Sequence, residues 1–424
     1  MRNTEIIRSE QTDDSCLYCK HPSGLDIYIK EMEGFNSAFA LFATKYGSIN
    51  TRFRLRGEAD YAEVPEGIAH FLEHKLFENE DCDAFEQYAR TGANANAFTS
   101  FDQTAYLFGC SEHFNDSLRI LLNTVQNPYF TQETVDKEQG IIAQEIRMND
   151  DNPGWRVFFG MLRAMFHNHP VRIDIAGTVE SIREIDADLL YRCYNTFYNL
   201  HNMTLCIAGN VRAEEVLAVC DELLKPCEDQ GLEQLYAEEP EEIVTSFTEE
   251  HMPVGTPLFN FGFKLRPREG REAVRTALVS SMLLETLLGA SSPFYNDALH
   301  EGLLNSEFDV DAPFYGDGYF VVSCGGETAQ PELVRDRILQ VLETAKHEGF
   351  DRETFERLKK VRYGDLIRSS NNVEASANGM MRSWMRGIGI FDDAQLLASV
   401  TYEDAMKLLR EELDPQRAVL SVIR

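Results

Sequence analysis

The sequence predicts an α+β protein of two domains, and three observations carry that prediction. The chain has 424 residues, more than one ordinary hydrophobic core organises. Strand-like runs followed by helical ones occur twice along it, the element order of an α+β domain stated two times. Between the two lies EDQGLEQLYAEEPEE, Glu228 to Glu242, which is polar, acidic and without a sustained apolar pattern, and reads as a linker. The boundaries that follow are 1–225 for an N-terminal domain, 226–245 for the acidic linker and 246–424 for a C-terminal domain.

The elements of the two halves correspond in order. The first half opens with the strand-like DIYIKEME and SAFALFATKYG, passes through helices, returns to a strand at TLCIAG and continues into a helix from Ala213 to Leu224. The second opens with TPLFNFGFKL, runs into the helical EAVRTALVSSMLLETLLG, returns to strand in GYFVVSC and ends with RAVLSVI. The identity between the halves is too low to establish a duplication from the residues alone.

Composition narrows the function classes. A formal charge of -30 argues against nucleic acid as a partner, because phosphate binding needs a concentrated basic surface. A hydrophobic fraction of 43% suits folded globules. No run approaches the roughly 20 apolar residues of a membrane helix, and MRNTEIIRSEQTDD lacks the apolar core of a signal peptide, so the expectation is a cytoplasmic protein without a membrane partner. Nine cysteines, an odd number without repeated spacing, point to a reducing compartment. Cys16 and Cys19 form a lone CxxC, with no second pair to complete a metal site. Cys206 and Cys324 sit in apolar runs and read as small core residues.

The chemistry is concentrated in PEGIAHFLEHKLFE, where His70, Glu73 and His74 form an HxxEH cluster. On a helix, residues four apart share a face, so two imidazoles converge on one point. Zinc accepts neutral imidazole and carboxylate ligands tetrahedrally, and a catalytic zinc keeps a position open for water. A carboxylate that does not bind the metal can take that water's proton. The cluster supplies two ligands and a base, so a third ligand has to come from elsewhere. Thr131 to Asp151 reads as a helix with Thr131 as N-cap and an apolar stripe of Val135, Ile141, Ile142 and Ile146. Glu138 and Glu145, seven apart, project within that stripe, where carboxylates are costly unless paired or metal-bound. From Asn94 to Phe101 small alanines alternate with asparagines, a composition that lets another backbone approach closely and add as a strand.

With these residues in view the chain resembles the pitrilysin and insulysin type of zinc peptidases, the inverzincins, which include the mitochondrial processing peptidases. Further similarity lies in NANAFTSFDQTAYLF, HPVRIDIAGTVESI and NMTLCIAGNV, so the first half is densely covered and the second more loosely. The resemblance implies two homologous α/β sandwich domains of the pitrilysin/insulysin (processing-peptidase) type forming a clamshell. It implies zinc ligation by His70, His74 and Glu145, with Glu73 as general base and Glu138 as the carboxylate supporting the site. Asn96 and Ala97 would face the substrate backbone.

One departure stands out. Active chains of this type carry an Arg and a Tyr seven residues apart in the second domain, donors near the developing oxyanion. Here SSPFYNDALHEGLLNSEF places His300 where the Arg would fall and Glu307 or Phe308 near the Tyr, and no Arg occurs between Arg275 and Arg335. The expectation is a zinc-dependent metallo-endopeptidase subunit acting on peptides or unfolded segments, working as a heterodimer with a homologous partner subunit that supplies the Arg and Tyr. The alternative is a non-catalytic scaffold or peptide-binding subunit, which loss of the ligands would identify.

Overall fold

Ala38–Thr44 and Met203–Gly209 are buried along their whole lengths. A strand with no exposed side must be central and covered on both faces. In the computed structural model, which describes residues 3–78 and 83–424, both lie within a seven-stranded sheet. Its order is Asn3–Arg8, Ser15–Lys20, Asp26–Glu31, Met203–Gly209, Ala38–Thr44, Thr104–Cys110 and Asn94–Thr99. Asp26–Glu31 pairs in parallel with Met203–Gly209, and the other neighbours are antiparallel.

Side chains alternate across this sheet as the pleat requires. Ala40, Phe42, Leu205 and Ile207 enter the main N-terminal core, against Ile68, Phe71 and Leu72. Phe39, Leu41, Cys206 and Ala208 enter a second cluster on the other face, closed by Ala377, Met380 and Met381 of the helix Val373–Met385. A helix from the far end of the sequence therefore covers the second face.

The chain divides into two compact units accordingly. The first takes in the chain to Ile146, then Asp174–Leu235 and Leu366–Asp392; the second comprises Arg147–Ile173, Tyr236–Asp365 and Asp393–Arg424. The Leu235–Tyr236 division falls inside the 226–245 stretch. Two helical segments depart from the linear boundaries of the sequence reading, because each sheet has two apolar faces and its own half of the chain covers one.

In the second unit the strands run Phe247–Glu250, Ala418–Ile423, Leu258–Lys264, Tyr319–Glu327 and Asp309–Val310, with Phe314–Gly316 also pairing on Tyr319–Glu327. Phe247–Glu250 and Ala418–Ile423 form a parallel pair, as Asp26–Glu31 and Met203–Gly209 do in the first sheet, but here at the sheet's end, since two further strands precede the pair in the first sheet. The helix Pro153–Met165 packs on this sheet. A Cβ on Gly160 would come within 2.7 Å of the Ser421 hydroxyl, so a larger residue there would displace that side chain. Ala38 and Leu258, Gln132 and Arg352, and Pro153 and Val373 open corresponding elements, each pair 220 positions apart. The repeat implied by resemblance is thus present in topology and spacing.

The acidic stretch is more than a tether. Glu233–Gln234 pairs with Arg52–Arg54 in a small sheet. In the second unit Glu239, whose side chain is 7% exposed, accepts hydrogen bonds from the backbone amides of His167, Asn168 and His169 and from Lys264. His169, 1% exposed, is held as one tautomer: Nδ1 accepts from Val171 N at 3.1 Å and Nε2 lies 2.8 Å from Asp317 O, to which it donates. Protonating Nδ1 would set two donors against each other, and burial already pushes this imidazole below its ordinary pKa. The unfolded His protonates first as pH falls, so the stabilisation present above about pH 6.5 is lost in acid. Thermal melts between pH 7 and 5 are expected to show a fall in Tm that is smaller in His169→Gln; equal pH slopes would contradict this.

Among the described residues no single helix is long and apolar enough to cross a membrane; Gly270–Leu288 with Pro293–His300 passes only as a pair bent by 42°. Much of Gly270–Leu288 is buried in the core of the second unit.

Candidate metal centre

The turn that leads into the His pair is braced from behind. Gly67 has φ 88°, and a Cβ there would lie 2.3 Å from the Ala176 carbonyl oxygen. Facing it, a Cβ on Gly177 would lie 2.5 Å from the carbonyl oxygen of Glu66, which also accepts a 2.9 Å hydrogen bond from Ser181 Oγ. Only glycines allow this contact. The IAGTVES segment thereby fixes the start of the helix Ile68–Leu76, whose Ile68, Phe71, Leu72 and Leu76 enter the core. The rings of His70 and His74 stand together, centroids 4.6 Å apart.

Opposite them runs the helix Gln132–Asp150. Thr131 caps it, its hydroxyl accepting from Thr134 N at 3.3 Å. Val135, Glu138, Ile142 and Ile146 are buried. Ile141, expected in the apolar stripe, is instead 45% exposed. The buried positions advance by three, four and four residues, and 141 falls to their side.

This rotation presents Glu138 and Glu145 to the imidazoles in different ways. Glu138 Oε1 accepts from His74 Nδ1 at 2.9 Å, which leaves the lone pair of His74 on Nε2. Glu145 places Oε1 3.5 Å from His70 Nε2 and Oε2 3.5 Å from His74 Nε2. Both gaps are long for hydrogen bonds. They match the separation of about 3.4 Å between ligands bonded at about 2.1 Å to one tetrahedral ion. One ligand atom from each of His70, His74 and Glu145 lies within 4.8 Å of the others. Two imidazole nitrogens and a carboxylate oxygen suit zinc.

The electrostatics agree with that use. Burial, reinforced by neighbouring His74, pushes the His70 pKa down to about 3, so its imidazole is neutral and has a lone pair to give. Burial also pulls on His74, but its hydrogen bond to Glu138 and the charges of Glu73, Glu138 and Glu145 outweigh it and raise that pKa. The same carboxylates make the cluster attractive to a cation. Glu73 stands outside the group of three. Burial raises its pKa, opposed chiefly by a hydrogen bond from Thr99, whose Oγ1 donates to Glu73 Oε2 at 2.7 Å.

Asn94–Thr99 has the position expected of it. It is the last strand of the sheet, paired with Thr104–Cys110 on one side and with no strand on the other among the described residues. Asn96 is exposed and Ala97 half-buried. The Ala97 amide donates to Asn96 Oδ1 at 2.9 Å. Thr99, at the inner end of this strand, is the contact the sequence reading missed. It lay within the quoted NANAFTS, but a threonine has no spacing that marks it for a particular carboxylate.

Other candidates separate. Cys16 and Cys19 are three apart on one strand and bury their thiols in clusters on opposite faces of the sheet, so they form no joint metal site. His300 is exposed at the last position of Pro293–His300, and Glu307 is exposed. Phe308 is buried against Phe259, Phe294 and Tyr295. Neither guanidinium nor phenol stands at these positions.

Residues 58–179 match the family model for insulinase, peptidase family M16, and residues 184–362 match the model for the peptidase M16 inactive domain. "Uncharacterized zinc protease YmfH" of Bacillus subtilis strain 168 is 40% identical over 417 residues, 97% of each chain. A crystal structure from Alicyclobacillus acidocaldarius, described as M16-like, is 34% identical with a TM-score of 0.92, covering 100% of this chain and 98% of its own. Pitrilysin, at 15% identity, shares the fold with a TM-score of 0.78 over 100% of this chain but 46% of its own.

Proposed function

The chain belongs to peptidase family M16, the insulinase family, and from that premise we propose that it is the zinc-binding, base-carrying subunit of a metallo-endopeptidase acting on peptides or unfolded segments. The observation that carries this reading is the convergence of His70, His74 and Glu145 with Glu73 held beside them but apart. These three residues would hold zinc, and Glu138 would keep His74 in the tautomer that binds it. When bound, zinc supplies Lewis acidity, polarising a carbonyl and lowering the pKa of water to about 7.

The chain's own groups do the rest. An extended peptide adds as a strand to Asn94–Thr99, recognised through its main chain, with Asn96 releasing the Ala97 amide as the peptide carbonyl arrives. Small side chains on this edge leave the substrate's side chains largely unread, which suits broad sequence tolerance. Glu73 takes a proton from the attacking water and returns it to the departing amine. Zinc analysis with peptidase assays on the purified chain tests the reading: zinc-free protein that cleaves peptides at full rate would refute it.

The heterodimer is part of the proposal. It rests on the second unit, where His300 falls at the place of the Arg and Glu307 or Phe308 near that of the Tyr. Pitrilysin, of which this chain matches 46%, has room for two such lengths in one polypeptide; here the second would be a separate homologous subunit. The zinc-loaded chain alone is expected to cleave about 10²-fold or more slowly than with that subunit, the usual cost of missing transition-state donors. Strong zinc-dependent cleavage by the single chain, lost in His300→Ala, would show instead that no partner is needed.

A further inference from the structure

We propose that Thr99 is the positioning residue for Glu73, so that the strand which would receive the peptide also aims the proton acceptor. The inference rests on the reading of Glu73 as the base. Its grounds are geometric. Thr99 Oγ1 donates to Glu73 Oε2 at 2.7 Å. The direction of the hydroxyl is settled by its partner, because an ionised carboxylate only accepts. Thr104, paired with Thr99 across the two strands, has its Oγ1 3.3 Å away and donates its own proton to Tyr46 O at 2.8 Å. Thr104 is fully buried, and its neutral hydroxyl at 3.3 Å is a more distant and weaker acceptor than the carboxylate at 2.7 Å, so the Thr99 proton goes to Glu73.

The consequence concerns what Glu73 is kept from doing. It is adjacent to His74 in sequence, and the Glu145 carboxylate is close enough to act on it electrostatically. A glutamate has three side-chain torsions and could swing to join the ligands; as a ligand it would no longer be free to accept a proton. Thr99 anchors one carboxylate oxygen to the sheet edge and leaves the other open. It prevents the base from becoming a fourth ligand, and a peptide seated on Asn94–Thr99 would therefore find the acceptor already in register with its backbone.

The test uses Thr99→Val, which keeps shape but has no donor, Thr99→Ser, which keeps the donor, and Glu73→Gln. Each is assayed zinc-loaded, with the homologous subunit where activity needs it, on a pool of internally quenched peptides. Zinc affinity is measured by chelator competition. Thr99→Val is expected to lower kcat about tenfold or more with KM within about twofold, while zinc affinity stays equal or becomes tighter; local damage to the site would weaken it. Thr99→Ser is expected to stay within about twofold of the parent chain. A crystal structure of zinc-bound Thr99→Val should show the Glu73 carboxylate turned from its anchored position. Unchanged kcat in Thr99→Val, or an unmoved Glu73 in its crystal structure, would overturn the inference. Should Thr99→Val not fold, Thr99→Ala removes the same donor and is judged by the same measurements. Failure of the underlying reading looks different: Glu73→Gln would then cleave at the parent rate, and the crystal structure would still decide whether Thr99 sets the carboxylate's position.

Discussion

Glu73→Gln is expected to retain one zinc per chain and to lose about 10²- to 10⁴-fold in turnover, the range that a positioned general base contributes. The amide is nearly isosteric and its oxygen can still accept from the Thr99 hydroxyl, now 2.7 Å from Glu73 Oε2, so the side chain should keep its place. What it loses is the ability to take a proton. Glu73 is also outside the group formed by His70, His74 and Glu145, which is why metal content should be indifferent to the change. Metal analysis and steady-state kinetics on the same preparation separate the two effects. Parent-like cleavage would remove Glu73 from the mechanism, and loss of zinc would make it a ligand.

His70→Ala combined with His74→Ala is expected to abolish zinc binding altogether, since both nitrogen donors disappear and one carboxylate is a poor site for zinc. The fold should survive, because Ile68, Phe71, Leu72 and Leu76 bury the opposite side of the same helix. The two glutamates should grade the effect. Glu145→Gln replaces an anionic ligand by a weak neutral one and should lower zinc affinity sharply. Glu138→Gln keeps an oxygen to accept from His74 Nδ1, now 2.9 Å from Glu138 Oε1, but loses the charge behind it. It should cost less, on the order of tenfold. Isothermal titration with zinc, alongside circular dichroism to confirm folding, checks the series. Full zinc retention in the double variant would refute the ligand set, and Glu138→Gln costing more than Glu145→Gln would exchange their roles.

The sequence by itself determined what helical and strand periodicity can encode. Two histidines four apart must share a helix face, and two glutamates seven apart must return to nearly one angle, whatever surrounds them. A run of small residues near them was legible as an accessible strand, and the order of strands and helices was legible as two α+β domains. Local repetition is written within a few residues, so a few residues suffice to read it.

Tertiary structure decided the rest. It set the rotation of Gln132–Asp150 that buries Glu138, turns Glu145 toward both imidazoles and leaves Ile141 outside the stripe. It brought Thr99 to Glu73, a contact between residues 26 apart in sequence. The charged stretch that reads as a linker gained a buried anchor when Glu239 met Lys264 and three backbone amides. Val373–Met385 came to cover a sheet whose central strand begins at Met203. In each case the deciding partner lies on another element, and a side chain's own neighbours in sequence carry no record of which surface will close over it. Burial is a property of pairs of faces, and only the folded chain chooses the pairs.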